Sequence, residues 1–288
     1  MEHKNECPVP AGILVIIGGK ESKGKQEAPD RETPAGFVTS DVLRTFAELT
    51  QKKYATIVII TSGSEEGQAS FGEYKKVFNQ LGHTAVSHIH HKLRQEVLED
   101  SNLLQKTITA DAIFFAGGDQ LVLTSLYGGT DFLKKLKERY IDEKLVVGGT
   151  SAGAMALSTP MIYAGNEDVQ EVSGEIKVTT GLEFLRDVCV DTHFVHRSRF
   201  VRLAQVIATN PGCTGIGIEE DTAVIVRNGI DGEVAGSGTV IVIQGFSILE
   251  ADMKNFSEKK PVSVRNLKVD ILAPGNKFLL EQRNPPHR

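Results

Sequence analysis

The chain has 288 residues, 40% of them hydrophobic, which is enough to bury one large core and predicts a single domain over residues 1–288. A net charge of −5 without a dense basic run argues against nucleic acid as a partner, and no apolar stretch has the length of a membrane span or the form of a secretory signal, so we expect a cytoplasmic protein. The three cysteines, Cys7, Cys189 and Cys213, are too few and too scattered for a disulfide framework or a zinc site, and we expect no metal and no cofactor.

The first half of the chain alternates strand-like apolar runs with helix-like patterns. The predicted strands cover residues 13–17, 56–60, 111–115 and 145–147, and the predicted helices lie near residues 40–50, 67–81 and 131–140. This alternation is typical of a parallel sheet covered by helices. Ligands bind such sheets beyond the carboxyl ends of the strands, where Gly18, Gly19, Gly117, Gly118 and Ser151 all fall.

Two patterns in this half resemble binding motifs, one for phosphate and one for metal, but each lacks a residue that its motif requires. Residues 19–26 nearly spell a phosphate-binding loop, but Gln26 stands where a magnesium-binding Ser or Thr is required, and the charged residues predict a solvated loop. Four histidines have no acid or cysteine at ligand spacing, which predicts a surface-exposed patch rather than a metal site. They are His83, His88, His90 and His91.

The most informative motif is Gly149-Thr150-Ser151-Ala152-Gly153, a Gly-x-Ser-x-Gly pattern between a short apolar run and a helix-favouring stretch. In this context it predicts a strand, a sharp turn and a helix, with the Ser151 hydroxyl exposed at the turn as a nucleophile. The alternative is a glycine-rich turn whose serine only caps the following helix. As a nucleophile, Ser151 needs a base, an acid that orients the base, and donors for an oxyanion.

The second half of the chain is richer in predicted strands, at residues 222–226 and 239–243 and as a final pair near 266–281. Residues 158–187 have no long period and predict a loop or hairpin that borders the pocket. His193 follows the apolar run 188–190 and is therefore the candidate base at a strand end.

The acid that would orient His193 is left open by the residues alone. Three acids are consecutive: Glu219, Glu220 and Asp221. Alternation along an extended chain points Glu220 to the opposite face from its two neighbours. The order Ser, His, acid differs from the Ser, acid, His order of α/β-hydrolases. For the oxyanion, the amide of Ala152 is the expected first donor, and the strand-end turn around Gly118 is expected to supply a second.

A group of arginines follows the histidine, and Arg199 and Arg202 fall on one face if this segment is helical. A guanidinium binds carboxylate at two points, so the group favours an anionic peptide as ligand. The alternative is a solvated basic face, or internal ion pairs with Asp187 and Asp191. Asp191 could also bind a substrate amine or guanidinium.

Together these motifs resemble those of the cyanophycinases, serine peptidases that degrade cyanophycin, a poly-aspartate chain with arginine on its side-chain carboxyls. The resemblance covers most of the chain and is carried by Ile16-Ile17-Gly18-Gly19, Gly117-Gly118-Asp119-Gln120, Gly148-Gly149-Thr150-Ser151-Ala152-Gly153-Ala154, Asp191-x-His193, Arg197-x-Arg199-x-x-Arg202-Leu203 and Gly215-Ile216-Gly217-Ile218-Glu219-Glu220-x-Thr222-Ala223. It implies Ser151 as nucleophile, His193 as general base and Glu220 as the orienting acid. It also implies a substrate pocket lined by Gln120, Asp191, Arg197, Arg199 and Arg202.

The expected fold is α/β, with a mostly parallel central sheet flanked by helices, of the class I glutamine-amidotransferase-like or flavodoxin-like kind, and with additional C-terminal strands. A class I glutamine amidotransferase itself would need cysteine where Ser151 stands. The resemblance further implies an exopeptidase that releases β-aspartyl-arginine dipeptides, and a homodimer.

One position departs from the cyanophycinase pattern. That pattern has glutamine between the aspartate and the histidine, whereas this chain has Thr192, which is shorter and offers a hydroxyl to the substrate pocket. This departure leaves open an aspartyl dipeptidase-like peptidase for other small acidic peptides. A separate alternative is a catalytically silent protein that keeps the carboxylate pocket and binds acidic peptides.

Overall fold

The computed structural model describes residues 8–23, 41–164, 176–248, 250–251 and 263–280. Cys7 and residues 24–26 of the phosphate-loop-like motif lie outside the described residues, as do residues 165–175 of the predicted pocket-bordering stretch. No helix in these ranges is long and apolar enough to cross a membrane.

The structure contains the following elements in chain order. The strands are β1 Ile13–Ile17, β2 Ile57–Ile60, β3 Val86–Ile89, β4 Ala112–Phe115, β5 Val146–Thr150, β6 Ser158–Thr159, β7 Met161–Ala164, β8 Lys177–Thr179, β9 Leu185–Arg186, β10 Val188–Thr192, β11 Thr214–Ile218, β12 Thr222–Arg227, β13 Asp231–Gly236, β14 Val240–Gln244, β15 Glu250–Ala251, β16 Val264–Arg265, β17 Lys268–Leu272 and β18 Lys277–Leu279. The helices are α1 Asp41–Glu48, α2 Gly67–Gln80, α3 Arg94–Glu99, α4 Leu103–Thr109, α5 Gln120–Tyr127, α6 Asp131–Asp142, α7 Ala152–Ala156 and α8 Phe200–Thr209.

The larger sheet has eight strands in the order β18-β13-β12-β1-β5-β4-β2-β3. Strands β1 to β5 run parallel, and β12, β13 and β18 extend the sheet in antiparallel pairs beyond β1. The parallel strands are short apolar runs such as Ile57–Ile60, whose four residues are all buried, as expected for a sheet covered on both faces. The predicted mostly parallel central sheet with additional C-terminal strands is confirmed.

A second sheet has six strands in the order β17-β14-β11-β10-β6-β9. Its central strands β10 and β11 are parallel, and β14 and β17 continue it antiparallel. The strands predicted at residues 222–226 and 239–243 thus belong to different sheets, as β12 and β14. The sequence did not indicate this division, because an apolar run reveals that a strand exists but does not reveal its partner.

Side chains of the parallel strands alternate between two cores, as the two-residue period of a strand requires. Val15 and Ile59 pack in one core with Phe46 of α1. Ile16 packs in the other with Leu136 of α6. Helices α1 and α2 therefore cover one face of the larger sheet, and α4 to α6 cover the other.

The predicted elements of the first half are found within a few residues of their expected bounds, whereas β3 and helices α3 to α5 were not predicted. Within residues 158–187, β7 and β8 form an antiparallel pair, which agrees with the expected hairpin. The ends of β1 and β5 meet the ends of β10 and β11 where the two sheets adjoin. The His193 amide donates to the Gly18 carbonyl over 2.9 Å, and the Asp221 amide donates to the Gly19 carbonyl over 2.9 Å.

Candidate active site

Ser151 lies at a sharp turn between β5 and α7, with φ 51° and ψ −119°. Its side chain makes no capping hydrogen bond to α7, so the alternative of a serine that only caps the helix is wrong. The turn needs small residues around it. A Cβ on Gly149 would lie 2.6 Å from the Gly153 carbonyl carbon, and a Cβ on Gly153 would overlap the Phe115 carbonyl oxygen. The Ser151 amide donates to the Ile17 carbonyl over 3.1 Å, which fixes the turn to β1.

His193 directly follows β10 and presents its ring to the serine. Its Nε2 lies 3.0 Å from Ser151 Oγ. The ring rests against Gly19, where an added Cβ would overlap it. His193 itself has φ 51°. The backbone turn there directs the side chain from the second sheet toward the sharp turn at Ser151 in the larger sheet, which we call the elbow.

Of the three consecutive acids, Glu220 contacts the histidine: its Oε1 lies 2.7 Å from His193 Nδ1. Glu219 instead accepts the amides of Val195 and His196 over 2.6 and 3.0 Å and so holds the turn after the histidine. Asp221 accepts the amide of Ser22 over 3.1 Å. The three acids thus have different partners, and because Glu220 and Asp221 lie in a turn between β11 and β12, with φ 51° at Asp221, the alternation of an extended chain does not apply to them.

The electrostatic setting favours a neutral histidine beside an ionised glutamate. Burial is the largest cause that lowers the pKa of His193 from its usual 6.5; the hydrogen bond to Glu220 opposes it, and the nearby charges of Arg197 and Arg199 add to it. For Glu220, burial alone would raise the pKa, but the hydrogen bonds from His193 and Lys20 bring it below the usual 4.5. A neutral imidazole is the form that can accept a proton from serine.

The two predicted oxyanion residues border the same cavity as the serine. Ala152 is the first residue of α7, and Gly118 follows β4 with φ +136°. A Cβ on Gly118 would overlap the Gly63 carbonyl oxygen, and a Cβ on Gly117 would lie 3.5 Å from Ser151 Cβ. These glycines therefore let the backbone of the β4 turn approach the elbow closely, which is what an amide donor needs.

The cavity has a volume of about 200 Å³ and brings together nearly all the predicted site residues. Those in its lining are Gly118, Gln120, Ser151, Ala152, Thr192, His193, Arg197, Arg199 and Arg202. The sequence analysis did not name Met155, Ile162, Tyr163 and Ala164, which also line it. The last three belong to β7, and the only signal for them was the expectation of a hairpin beside the pocket. Gln120 Nε2 donates to the Ile162 carbonyl over 2.9 Å and so connects β7 to α5.

Asp191 lies behind the cavity and is not part of its lining, in contrast to the prediction. The residue is fully buried, and its carboxylate accepts from Arg202 Nε over 2.8 Å, from Arg202 Nη2, and from Arg199 Nη1 over 3.3 Å. Arg199 Nη1 also donates to the Thr192 carbonyl over 2.8 Å. The internal ion pair weighed from the sequence is therefore present for Asp191, and it holds the two arginines in the cavity wall.

Thr192 combines burial with an open hydrogen-bonding capacity. Its side chain is 1% exposed, and within the described part of the chain its Oγ1 has no hydrogen-bond partner. Thr192 also lines the cavity, so its side chain borders the space beside Ser151.

Two minor predictions are corrected. The histidines do not form an exposed patch, because His83 and His91 are buried and His88 stacks on Phe71 with ring centroids 4.2 Å apart. Among the described residues no group of three His, Cys, Asp or Glu could hold a metal ion. The charged residues after β1 are not all solvated, because Glu21 is buried and accepts hydrogen bonds from Tyr74 and from Thr150, the latter over 2.5 Å.

Comparison with known proteins identifies the family of this chain. The cyanophycinase of Trichormus variabilis is 30% identical over 272 residues, which cover 94% of this chain and 86% of that protein. The cyanophycinase of Synechococcus elongatus is 30% identical over 279 residues, covering 96% and 82%. A crystal structure of a peptidase from an acI-B1 actinobacterium has a similar fold, with a TM-score of 0.64 at 19% identity over 94% of this chain and 98% of that one. The sequence model of peptidase family S51 matches residues 36–231. The chain therefore belongs to peptidase family S51.

Proposed function

We propose that this protein is a serine exopeptidase that degrades cyanophycin, with Ser151 as nucleophile, His193 as general base and Glu220 as the acid that orients the base. The observation that carries the proposal is the continuous hydrogen-bonded series of these three side chains, with 3.0 Å from Ser151 Oγ to His193 Nε2 and 2.7 Å from His193 Nδ1 to Glu220 Oε1. The similarity to cyanophycinases over 94% of the chain supports the substrate.

In the first half of the reaction, Ser151 Oγ attacks the peptide carbonyl while its proton passes to His193 Nε2. A serine hydroxyl needs this help because it is a weak acid. The amides of Ala152 and Gly118 then stabilise the oxyanion of the tetrahedral intermediate. Glu220 keeps the proton of the neutral ring on Nδ1 and stabilises the imidazolium that forms.

In the second half, His193 gives its proton to the leaving amine, and the C–N bond breaks to leave an acyl-enzyme on Ser151. Water replaces the amine, and His193 takes a proton from it as it attacks the ester. The tetrahedral intermediate collapses, Ser151 recovers its proton from His193, and the acid product leaves. No step needs a cofactor.

Substrate recognition is proposed to rest on the guanidinium groups of Arg197, Arg199 and Arg202 in the cavity lining, which bind the carboxylates of an aspartyl unit. The Thr192 hydroxyl adds a donor at the point where the cyanophycinase pattern has glutamine. The cavity volume of about 200 Å³ is below the range of typical ligand pockets, which favours binding of a terminal unit over an extended stretch of polymer.

A fluorophosphonate probe, which reacts with activated serines, tests the proposed nucleophile. Wild-type protein is expected to be labelled once per chain, and Ser151→Ala and His193→Ala are expected to abolish labelling. Ser64→Ala is the matched control, because Ser64 also follows a parallel strand of the larger sheet and should leave labelling unchanged. Binding of acidic peptides by a wild-type protein that is not labelled would favour the catalytically silent alternative.

We further infer a single folded domain that acts in the cytoplasm as a homodimer. The family resemblance supports the dimer, and the shared cores on both faces of the larger sheet support one domain. Light scattering of the purified protein at micromolar concentration measures the assembly directly, and a monomer mass would contradict the dimer.

A further inference from the structure

Lys20 extends the hydrogen-bonded series beyond its acid. Its Nζ lies 3.2 Å from Glu220 Oε1, the same oxygen that lies 2.7 Å from His193 Nδ1. One carboxylate oxygen therefore contacts both an ammonium and the imidazole. The Lys20 side chain is 61% exposed, while that of Glu220 is 18% exposed, so the ammonium covers the outer side of the acid.

The backbone around Lys20 is held firmly in this position. Lys20 has φ 44°, which places it in a tight turn after β1. On one side of it, the Gly19 carbonyl accepts the Asp221 amide over 2.9 Å. On the other side, the buried Glu21 carboxylate accepts the hydroxyl of Thr150, the residue before the nucleophile, over 2.5 Å. The turn that carries Lys20 is thus fixed to the acid loop and to the elbow.

The ammonium and the imidazole both donate to one carboxylate oxygen, so each affects how strongly the other is bound. An ammonium at Oε1 keeps the carboxylate ionised. It also neutralises part of the negative charge that would stabilise an imidazolium, and it repels that imidazolium. The other described charges that face His193 are Arg197 and Arg199, which lie on the substrate side. Glu219 and Asp221 are engaged by backbone amides.

We propose that Lys20 is a positioning residue that acts through Glu220 and lowers the basicity of His193, so that the base remains neutral and active in more acidic solution. The proposal rests on the proposed function for the roles of His193 and Glu220. Lys20 lies in the segment whose sequence resembles a nucleotide-binding loop. In this proposal it serves the catalytic acid and base, and no nucleotide is involved.

The test compares three variants by their pH profiles of kcat/KM at low salt. Lys20→Met removes the ammonium and is expected to move the acid limb to higher pH by about half a unit, because a charge at this separation in a solvated setting has roughly that effect. Lys20→Arg keeps the charge and is expected to restore the wild-type limb. In about 0.5 M salt the shift should shrink, since the ammonium is exposed.

Lys52→Met is the matched control. Lys52 is 60% exposed and pairs with Asp111, which is 17% exposed, over 2.6 Å, so it resembles Lys20 in exposure and pairing. Asp111 precedes β4 and therefore lies at the opposite end of the sheet from the elbow. This variant should leave the acid limb in place. An equal shift in Lys52→Met, or no shift in a folded Lys20→Met protein, would overturn the proposal.

The titration of His193 is also read directly, from the Cε1 proton of its imidazole by NMR. Lys20→Met should raise the midpoint of this titration by the same half unit. This readout does not depend on turnover. If the protein fails to cleave any peptide, or if Ser151→Ala stays active, the proposed function fails, and the NMR midpoint still decides whether Lys20 lowers the basicity of His193.

Discussion

His193 makes hydrogen bonds through both ring nitrogens, and the two bonds define its tautomer. Nδ1 faces the Glu220 carboxylate, which only accepts, so the ring proton lies on Nδ1. Nε2 is then left to accept from the Ser151 hydroxyl. Burial disfavours the imidazolium before the reaction, and Glu220 compensates once the proton arrives. In the proposed mechanism, His193 is thus neutral at rest and stabilised when charged.

The pH dependence of activity follows from this arrangement. The proposed mechanism needs neutral His193, and burial lowers the pKa of this residue from 6.5. A lower pKa moves the acid limb of kcat/KM to lower pH, so we expect a midpoint below that value and constant activity at neutral pH. Rates measured between about pH 4 and about pH 9 check this. A midpoint above the usual imidazole value would mean that the attraction of Glu220 outweighs burial.

The choice of acid is tested by replacing Glu220 and its neighbour separately. Glu220→Gln removes the charge that stabilises the imidazolium, and kcat should fall by roughly 10²-fold or more, equivalent to about 3 kcal/mol of barrier. Glu219→Gln retains an oxygen that can accept the amides of Val195 and His196, so kcat should change by less than about threefold. Comparable losses in the two variants would contradict the assignment.

At the scale of elements, the site is formed where strand ends lie so close together that some positions have room only for glycine. Gly19 is the clearest case, since it has φ +99° and a Cβ there would overlap the His193 ring. Gly19→Ala is therefore expected to displace the ring from Ser151 and to lower kcat by roughly 10²-fold, a typical result of misplacement near 1 Å. Steady-state rates and far-UV circular dichroism distinguish this from global unfolding.

Gly82→Ala provides the matched control for that variant. Gly82 has a similar φ of +92°, but nothing lies within 4 Å of its missing Cβ. Both alanine variants bear the backbone cost of a positive φ, on the order of 1 kcal/mol, while only Gly19→Ala adds the collision with the ring. If both variants lost activity equally, backbone strain alone would explain the loss.

The elements differ in how well the sequence predicted them. The elbow around Ser151 was predicted because its glycines and its strand-to-helix context are local. The burial of Glu21 and of the histidines was not predicted, because it depends on Tyr74, Phe71 and other partners that the fold brings in from distant segments. The helical face of Arg199 and Arg202 was foreseen, but their position in the cavity wall depends on ion pairs with the buried Asp191.

At the scale of the whole molecule, the proposed triad joins two sheets. Ser151 follows a strand of the larger sheet, His193 follows a strand of the second, and Glu220 lies on the connection from β11 to β12, which crosses from one sheet to the other. The sequence predicted the nucleophile and the base from local patterns. The sequence alone did not show which of the three neighbouring acids orients His193, because the direction of each side chain depends on how the two sheets meet. Only the family resemblance indicated Glu220.

Because the site takes residues from both sheets, we expect unfolding in urea to abolish the site and the fold in one transition. If the two sheets form one domain, fluorophosphonate labelling of Ser151 and the circular dichroism signal should disappear at the same urea concentration, in one transition. Both are followed in parallel on the same samples, with labelling times that are short relative to refolding. Loss of labelling well before the loss of secondary structure would show that the sheets separate first.

The central claim, that Ser151 hydrolyses cyanophycin, is tested most directly by product analysis. Purified protein and its Ser151→Ala variant are incubated with cyanophycin and, separately, with short aspartyl peptides, and the products are identified by mass. The account predicts release of β-aspartyl-arginine by the wild-type protein and a loss of roughly 10³-fold or more in Ser151→Ala. Intact polymer after incubation with a folded, unlabelled wild-type protein, of which a separate sample reacts with the fluorophosphonate probe, would contradict it, as would release that persists in Ser151→Ala.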